Sequence, residues 1–175
     1  VDGLIVSNTR FSTRQFIDTV TRQMKDNGVN AVLLEYWWGK EAINYVGADY
    51  WGGIYQSIDH LIVQGHRTIG MITPPADALI TGRMTGSYKE AFTDNRLPFS
   101  EQAMVSADYS QQMTRDLTRR LIDENNGLTA IFVGDYEMAR SCVKTIKEMN
   151  LRVPDDISVV SFADHEVFPF LDPSL

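Results

Sequence analysis

The sequence predicts an α/β protein in which parallel strands are flanked by helices. Two observations predict it. Short apolar runs alternate with stretches of helical periodicity almost from end to end. The runs also lack a regular apolar–polar alternation, which is the pattern of strands covered on both faces. Strands of that kind are joined by right-handed crossovers.

The elements follow in order. Leu4-Ile5-Val6 reads as a buried strand. Ser12 then opens a helix, with Gln15 placed to complete a capping box. Phe16, Val20 and Met24 repeat along one face of that helix, and Asn27-Gly28 ends it. Ala31-Val32-Leu33-Leu34 is a second buried strand. The stretch from Tyr36-Trp37-Trp38 to Tyr45 breaks the rhythm and reads as an exposed loop or a crossing between lobes. From Val46 the unit repeats. Ile54, Ile58, Leu61 and Ile62 line a helix that stops at Gly65, and Thr68 to Ile72 form a strand. Met84, Tyr88 and Phe92 mark the next helix, and Ala103-Met104-Val105 the next strand. Ser110 caps a helix carrying Met113, Leu117 and Leu121, closed by the turn Asn125-Asn126-Gly127. Thr129 to Val133 is a strand rich in β-branched and aromatic residues. Asp135 starts a helix bearing Met138, Cys142, Ile146 and Met149, and Pro154-Asp155-Asp156 turns into the strand from Ile157 to Phe162.

Composition narrows the function. The 175 residues are 43% hydrophobic and 22% charged, as in a globular domain. Sixteen basic against 23 acidic residues leave a net charge of −7. Such a chain is poorly suited to gripping phosphate backbones over a wide face. No apolar stretch approaches the ~18 residues of a membrane-spanning helix. The single cysteine, Cys142, permits no internal disulfide and suits a reducing, cytoplasmic setting. Dinucleotide-binding, phosphate-loop, nucleophile-elbow and zinc-protease motifs are absent, so an enzyme is not expected, nor is a cofactor. His60, His66 and His165 are too scattered to predict a metal site.

What remains are polar groups just after strands, where open α/β sheets hold ligands. Glu35 follows the strand ending at Leu34, Arg83 follows the Met71-Ile72 strand after a loop, Asp135 follows Val133, and Asp164 follows Phe162. Each has a plainer reading. Asp135 can be only a helix cap, Asp164 and Glu35 solvated loop carboxylates, and Arg83 a surface helix residue.

Four stretches carry a family likeness. His60-Leu61 through Gly65-His66-Arg67-Thr68-Ile69-Gly70 resembles the "HL…GH..IG" signature of the LacI/GalR family of bacterial transcription regulators. Arg83-Met84-Thr85-Gly86 resembles that family's R-x-x-G, and Leu128 to Asp135 its "PTAIF..ND". Leu151 to Asp164 is similar to "LRVPEDISVVGFDD", and Val1 to Val6 to a strand of the effector-binding core.

The resemblance implies a periplasmic-binding-protein-like fold of two lobes closing over a small effector. Residues 1–47 are then a partial first lobe, 48–162 the second lobe and 163–175 a crossover segment. It implies a sugar-like effector, a homodimer, and operator contact through a helix-turn-helix segment not present in this chain. With the first strand–helix units of the first lobe missing, open sheet edges and uncovered apolar faces are expected. The rival reading on the same fold is a periplasmic solute receptor. By resemblance Arg83 reaches the effector, Asp135 replaces a ligand-contacting Asn, and Asp164 matches the second Asp of "FDD" while Ala163 replaces the first. Glu35 faces the cleft, and Tyr109, Trp37 or Trp38 supplies an aromatic face for a sugar ring. One departure stands out. Ser87-Tyr88-Lys89-Glu90-Ala91 runs one position longer than the family's "GY..A" after Gly86. Either a helix residue is inserted or the register is shifted.

Overall fold

The computed structural model describes residues 3–7, 14–35, 44–78, 80–166, 168–170 and 172–174. Two parallel sheets are present. The first is built from β1 (Leu4–Ser7), β2 (Ala31–Leu34) and β3 (Asn44–Val46), in that order, with α1 (Arg14–Asp26) connecting β1 to β2. After α2 (Tyr50–Val63), the second sheet takes β4 (Thr68–Thr73), β5 (Met104–Ser106), β6 (Leu128–Val133) and β7 (Ser158–Ser161). Their spatial order is β5-β4-β6-β7. The helices α3 (Thr81–Asp94), α4 (Gln111–Glu124) and α5 (Tyr136–Glu148) are the crossovers. The α/β class with parallel sheets flanked by helices is as the sequence predicts.

The second sheet is covered on both faces, and its centre is dry. Ile69, Met71, Ile72, Ala130, Ile131, Phe132 and Val133 are each at most 1% exposed. One face packs against α2 and α3 through Ile54, Ile58, Met84, Tyr88 and Phe92. The other packs against α4 and α5 through Leu121, Met138, Cys142 and Ile146. The phenol of Tyr88 crosses this core to donate a 2.7 Å hydrogen bond to the carbonyl of Ile69. Burial pushes that phenol well above its ordinary range. The thiol of Cys142 is buried and pushed up to about 12, which leaves almost no thiolate.

Several sequence expectations need correction. The first strand is not buried: Leu4 is 41% and Ile5 76% exposed. The lack of alternation correctly marks a parallel strand, but among the described residues this sheet has a core of only Ile17 and Leu33, with Val6 packed on it. On α1 the buried positions are Ile17 and Thr21, and Phe16 is 57% exposed. On α4, Thr114 and Thr118 turn inward while Met113 is 38% exposed. Each threonine satisfies its hydroxyl on the carbonyl one turn back, so a polar side chain enters the core without an orphan group. Asn44–Val46 is a strand rather than loop. Residues 36–43, with Trp37 and Trp38, lie outside the described residues, as does the Ser12 cap.

Replacing Tyr88 with Phe removes one buried hydrogen bond and keeps the ring. The expected loss is about 1 kcal/mol, read as a lower urea midpoint at unchanged slope. An unchanged midpoint would remove Tyr88 from the account of this core.

Candidate binding site

All four strands of the second sheet run the same way, so all four end at one edge. Backbone hydrogen bonds carry the order just past the strands. Ala107 donates to the carbonyl of Thr73, Gly134 to Ile72 and Phe162 to Val133, at 2.8–2.9 Å. The segments leaving β5, β4, β6 and β7 therefore sit side by side. Tyr109 belongs to the first segment, Pro74-Pro75 and then Arg83 to the second, Asp135 to the third and Asp164 to the fourth.

The floor of this edge is polar and tightly tied. The hydroxyls of Thr73 and Ser106 lie 2.8 Å apart. Thr81 donates to the carbonyls of Pro74 and Pro75, fixing the loop that leads into α3. Thr73 is 1% exposed, so it shapes the floor from below.

Asp135 performs its plainer role. Its Oδ1 accepts from the backbone amides of Glu137 and Met138, at 2.9 and 3.4 Å, and so caps α5. The residue before it is closely packed. A Cβ on Gly134 would lie 2.7 Å from Sδ of Met84 and 2.8 Å from Cδ of Pro74. A side chain here would have to displace the thioether tip of Met84 and press on the Pro74 ring. Arg83, next to Met84, is half-buried in the first turn of α3.

Helix α3 is unbroken from Thr81 to Asp94, with Met84, Tyr88, Ala91 and Phe92 buried. The R-x-x-G-Y spacing puts an arginine four residues before the tyrosine. Here that position is Met84, which is fully buried, and Arg83 is one residue earlier, ~100° around the helix. The helix carries no bulge at this point. Gly86 lies under the ring of Trp51, and Ser87 donates to the Trp51 carbonyl at 2.8 Å, so this part of the motif packs α3 on α2.

Asp164 is exposed and accepts from the amide of His165 at 2.7 Å. With Ser161, Ala163 and Phe168 it lines a cavity of about 380 Å³ beside β7. His165 stacks on Tyr136 at 4.3 Å between ring centroids. Tyr109 is half-buried with φ 66° and packs against the α4–α5 side of the core. No cluster of three or more histidine, cysteine, aspartate or glutamate side chains able to hold a metal occurs among the described residues.

Glu35 belongs to the other sheet but is not remote. It follows β2, and its carboxylate accepts a hydrogen bond from the hydroxyl of Tyr50 at the start of α2. The Tyr50 ring lies 5.4 Å from that of Phe162, just past β7. Strand ends of both sheets thus meet around one tyrosine. Tyr50 was not among the sequence candidates, and Met84 and Phe162 figured there only as helix and strand residues. The signal for Tyr50 was its place next to the helix cap Asp49, whose Oδ1 accepts from Gly52.

The comparisons with known proteins follow this geometry. Residues 58–175 match the model of the periplasmic binding protein-like domain. The chain belongs to that family, in the form found in LacI-type regulators. Catabolite control protein A of Priestia megaterium is 26% identical over 176 residues, covering all of this chain and 52% of that protein. The HTH-type transcriptional repressor PurR of Aliivibrio fischeri strain ES114 is 31% identical over 125 residues, 70% of this chain and 37% of that protein. These relatives are transcription regulators, not enzymes. Among solved structures, a CelR–cellobiose complex aligns with a TM-score of 0.85 at 25% identity, over 100% of this chain and 53% of that one. A LacI-family regulatory protein from Chloroflexus aggregans has the same fold at a TM-score of 0.89 and 22% identity, over 100% of this chain and 61% of that one. The chain spans about half the length of the curated relatives that it matches end to end. No helix among the described residues is long and apolar enough to cross a membrane.

Gly134→Ala forces a methyl group against Met84 and Pro74. It is expected to lower stability by about 1–3 kcal/mol in a urea titration. A variant as stable as the parent would show that the contact between β6 and α3 is loose.

Proposed function

We propose that this chain is the effector-binding part of a LacI-type transcription regulator, and that its ligand is a small polar molecule of sugar type. The observation that carries this reading is the shared edge. Asp135 and Asp164 follow parallel strands at one border, Arg83 stands in the first turn of the helix after β4, and Glu35 is held next to that border from the first sheet. Arginine donates paired hydrogen bonds from a planar fork, and carboxylates accept from hydroxyls. A polyol offers both kinds of partner. The likeness to a CelR–cellobiose complex supports a sugar over other polar ligands.

In this reading residues 1–47 form part of a first lobe, 48–162 a second lobe and 163–175 a crossover. The regulator is a cytoplasmic homodimer. Its operator contact is made by a segment outside this chain, in keeping with the −7 charge here. Ligand occupancy shifts the lobe arrangement and so the affinity for DNA. Tyr109 lies at the same edge and offers a ring face to the ligand.

Thermal shift of the full-length protein against sugars (cellobiose included), sugar phosphates and nucleosides tests the proposal. At a hundredfold excess over Kd a true ligand adds about 2.7 kcal/mol, which is several degrees in Tm. Asp135→Asn keeps an equally good helix cap and so the parent Tm, yet it changes affinity for that ligand. A panel in which no sugar raises Tm would overturn the sugar assignment.

A further inference from the structure

We infer that Tyr50 is a positioning residue: it holds the Glu35 carboxylate at the end of β2 in a fixed place relative to the end of β7. The inference deepens the proposed function, since it explains how a group on the first sheet is aimed at an edge built by the second. The positioning itself can be tested with no ligand.

Three features make the position of Glu35 a constrained one. Its backbone is left-handed, with φ 78°, a conformation that few residues other than glycine adopt. Its amide donates to the carbonyl of Val46 at 2.9 Å, which ties it to β3. A Cβ on Gly47 would lie 2.1 Å from the Glu35 carbonyl oxygen, so β3 passes this turn at a distance only glycine permits. The backbone thereby turns Glu35 off the line of its strand.

Tyr50 supplies the other half. It is 9% exposed and stands at the first position of α2. That helix is anchored in the second sheet's core through Ile54 and Ile58. The Tyr50 ring packs on Phe162, which in turn lies 6.5 Å from Phe132 of β6. The rigid end of this stack is therefore the centre of the second sheet. Its other end is the hydroxyl that donates to Glu35. A tyrosine suits this task because its ring is stiff and its one polar atom sits at the far end.

Amide exchange of the full-length protein, without ligand, tests it. Tyr50→Phe keeps the ring and deletes the hydroxyl; Glu35→Ala deletes the acceptor. Each is expected to speed exchange of the residue-35 amide about tenfold, the effect of one hydrogen bond to a charged group. The double variant should be no faster than either single one, because both remove the same contact. Exchange in β4 and β6 should not move, whereas a loss of general packing would raise it there as well. Glu35→Gln, which keeps an acceptor oxygen, should restore most of the protection. An unchanged residue-35 amide in Tyr50→Phe overturns the inference, as do effects that multiply in the double variant. With cellobiose as probe, Tyr50→Phe should weaken binding about tenfold. Failure of the parent protein to bind cellobiose counts against the sugar assignment alone, and the exchange result still decides the role of Tyr50.

Discussion

The rest of the structure depends on strand direction. Four parallel strands must all release the chain at the same border of the sheet, so residues far apart in sequence are delivered side by side. Arg83, Asp135 and Asp164 share a border for that reason, and no special contact among them is required. The dry core beneath makes the border rigid. Central residues of β4 and β6 are essentially unexposed, and the layers on both faces hold them in place. A ligand that bound at this border would meet side chains that are already positioned, and less binding free energy would be lost to ordering them.

The family signatures turn out to be largely scaffold. His66 of the "GH" pair meets the Thr129 hydroxyl at 2.8 Å, where β4 and β6 begin, at the opposite border from the strand ends. Burial, with the neighbouring His60, lowers its pKa. In Leu151 to Ile157 the guanidinium and backbone amide of Arg152 both bind Asp156, at 2.7–2.9 Å. Those bonds hold that carboxyl down at about 2 and close the turn into β7. Gly86 seats Trp51, and Asp135 caps α5. Motifs that identify the family thus mark where chain segments must turn or touch. Arg83, Asp135 and Asp164, the residues of these motifs expected to meet a ligand, are a minority among scaffold positions.

That division explains what was legible in the sequence. Helices with strong apolar repeats, such as α2 and α5, were read correctly because burial dictates both their composition and their period. The second sheet was equally clear from its β-branched runs. Partner-dependent features were not legible. The exposure of Ile5 depends on what covers the first sheet, and the inward turn of Thr114 and Thr118 depends on hydroxyls that bond within their own helix. The three-residue strand β3 carried too little pattern to be seen. At the candidate site, the sequence correctly put Asp135 and Asp164 just after the strands now seen as β6 and β7. It did not show that Tyr50 joins the two sheets. That fact belongs to contacts between distant segments, which spacing along the chain does not encode.

The central claim is that a small polar ligand occupies the carboxyl border of the second sheet. Amide exchange of the full-length protein, with and without a sugar that raises its Tm, tests this most directly. The account predicts protection confined to the segments leaving the strands, 73–84, 107–110, 134–137 and 162–165, and to residue 35. Protection centred instead on residues 60–66 and 151–158, at the opposite border, would contradict it.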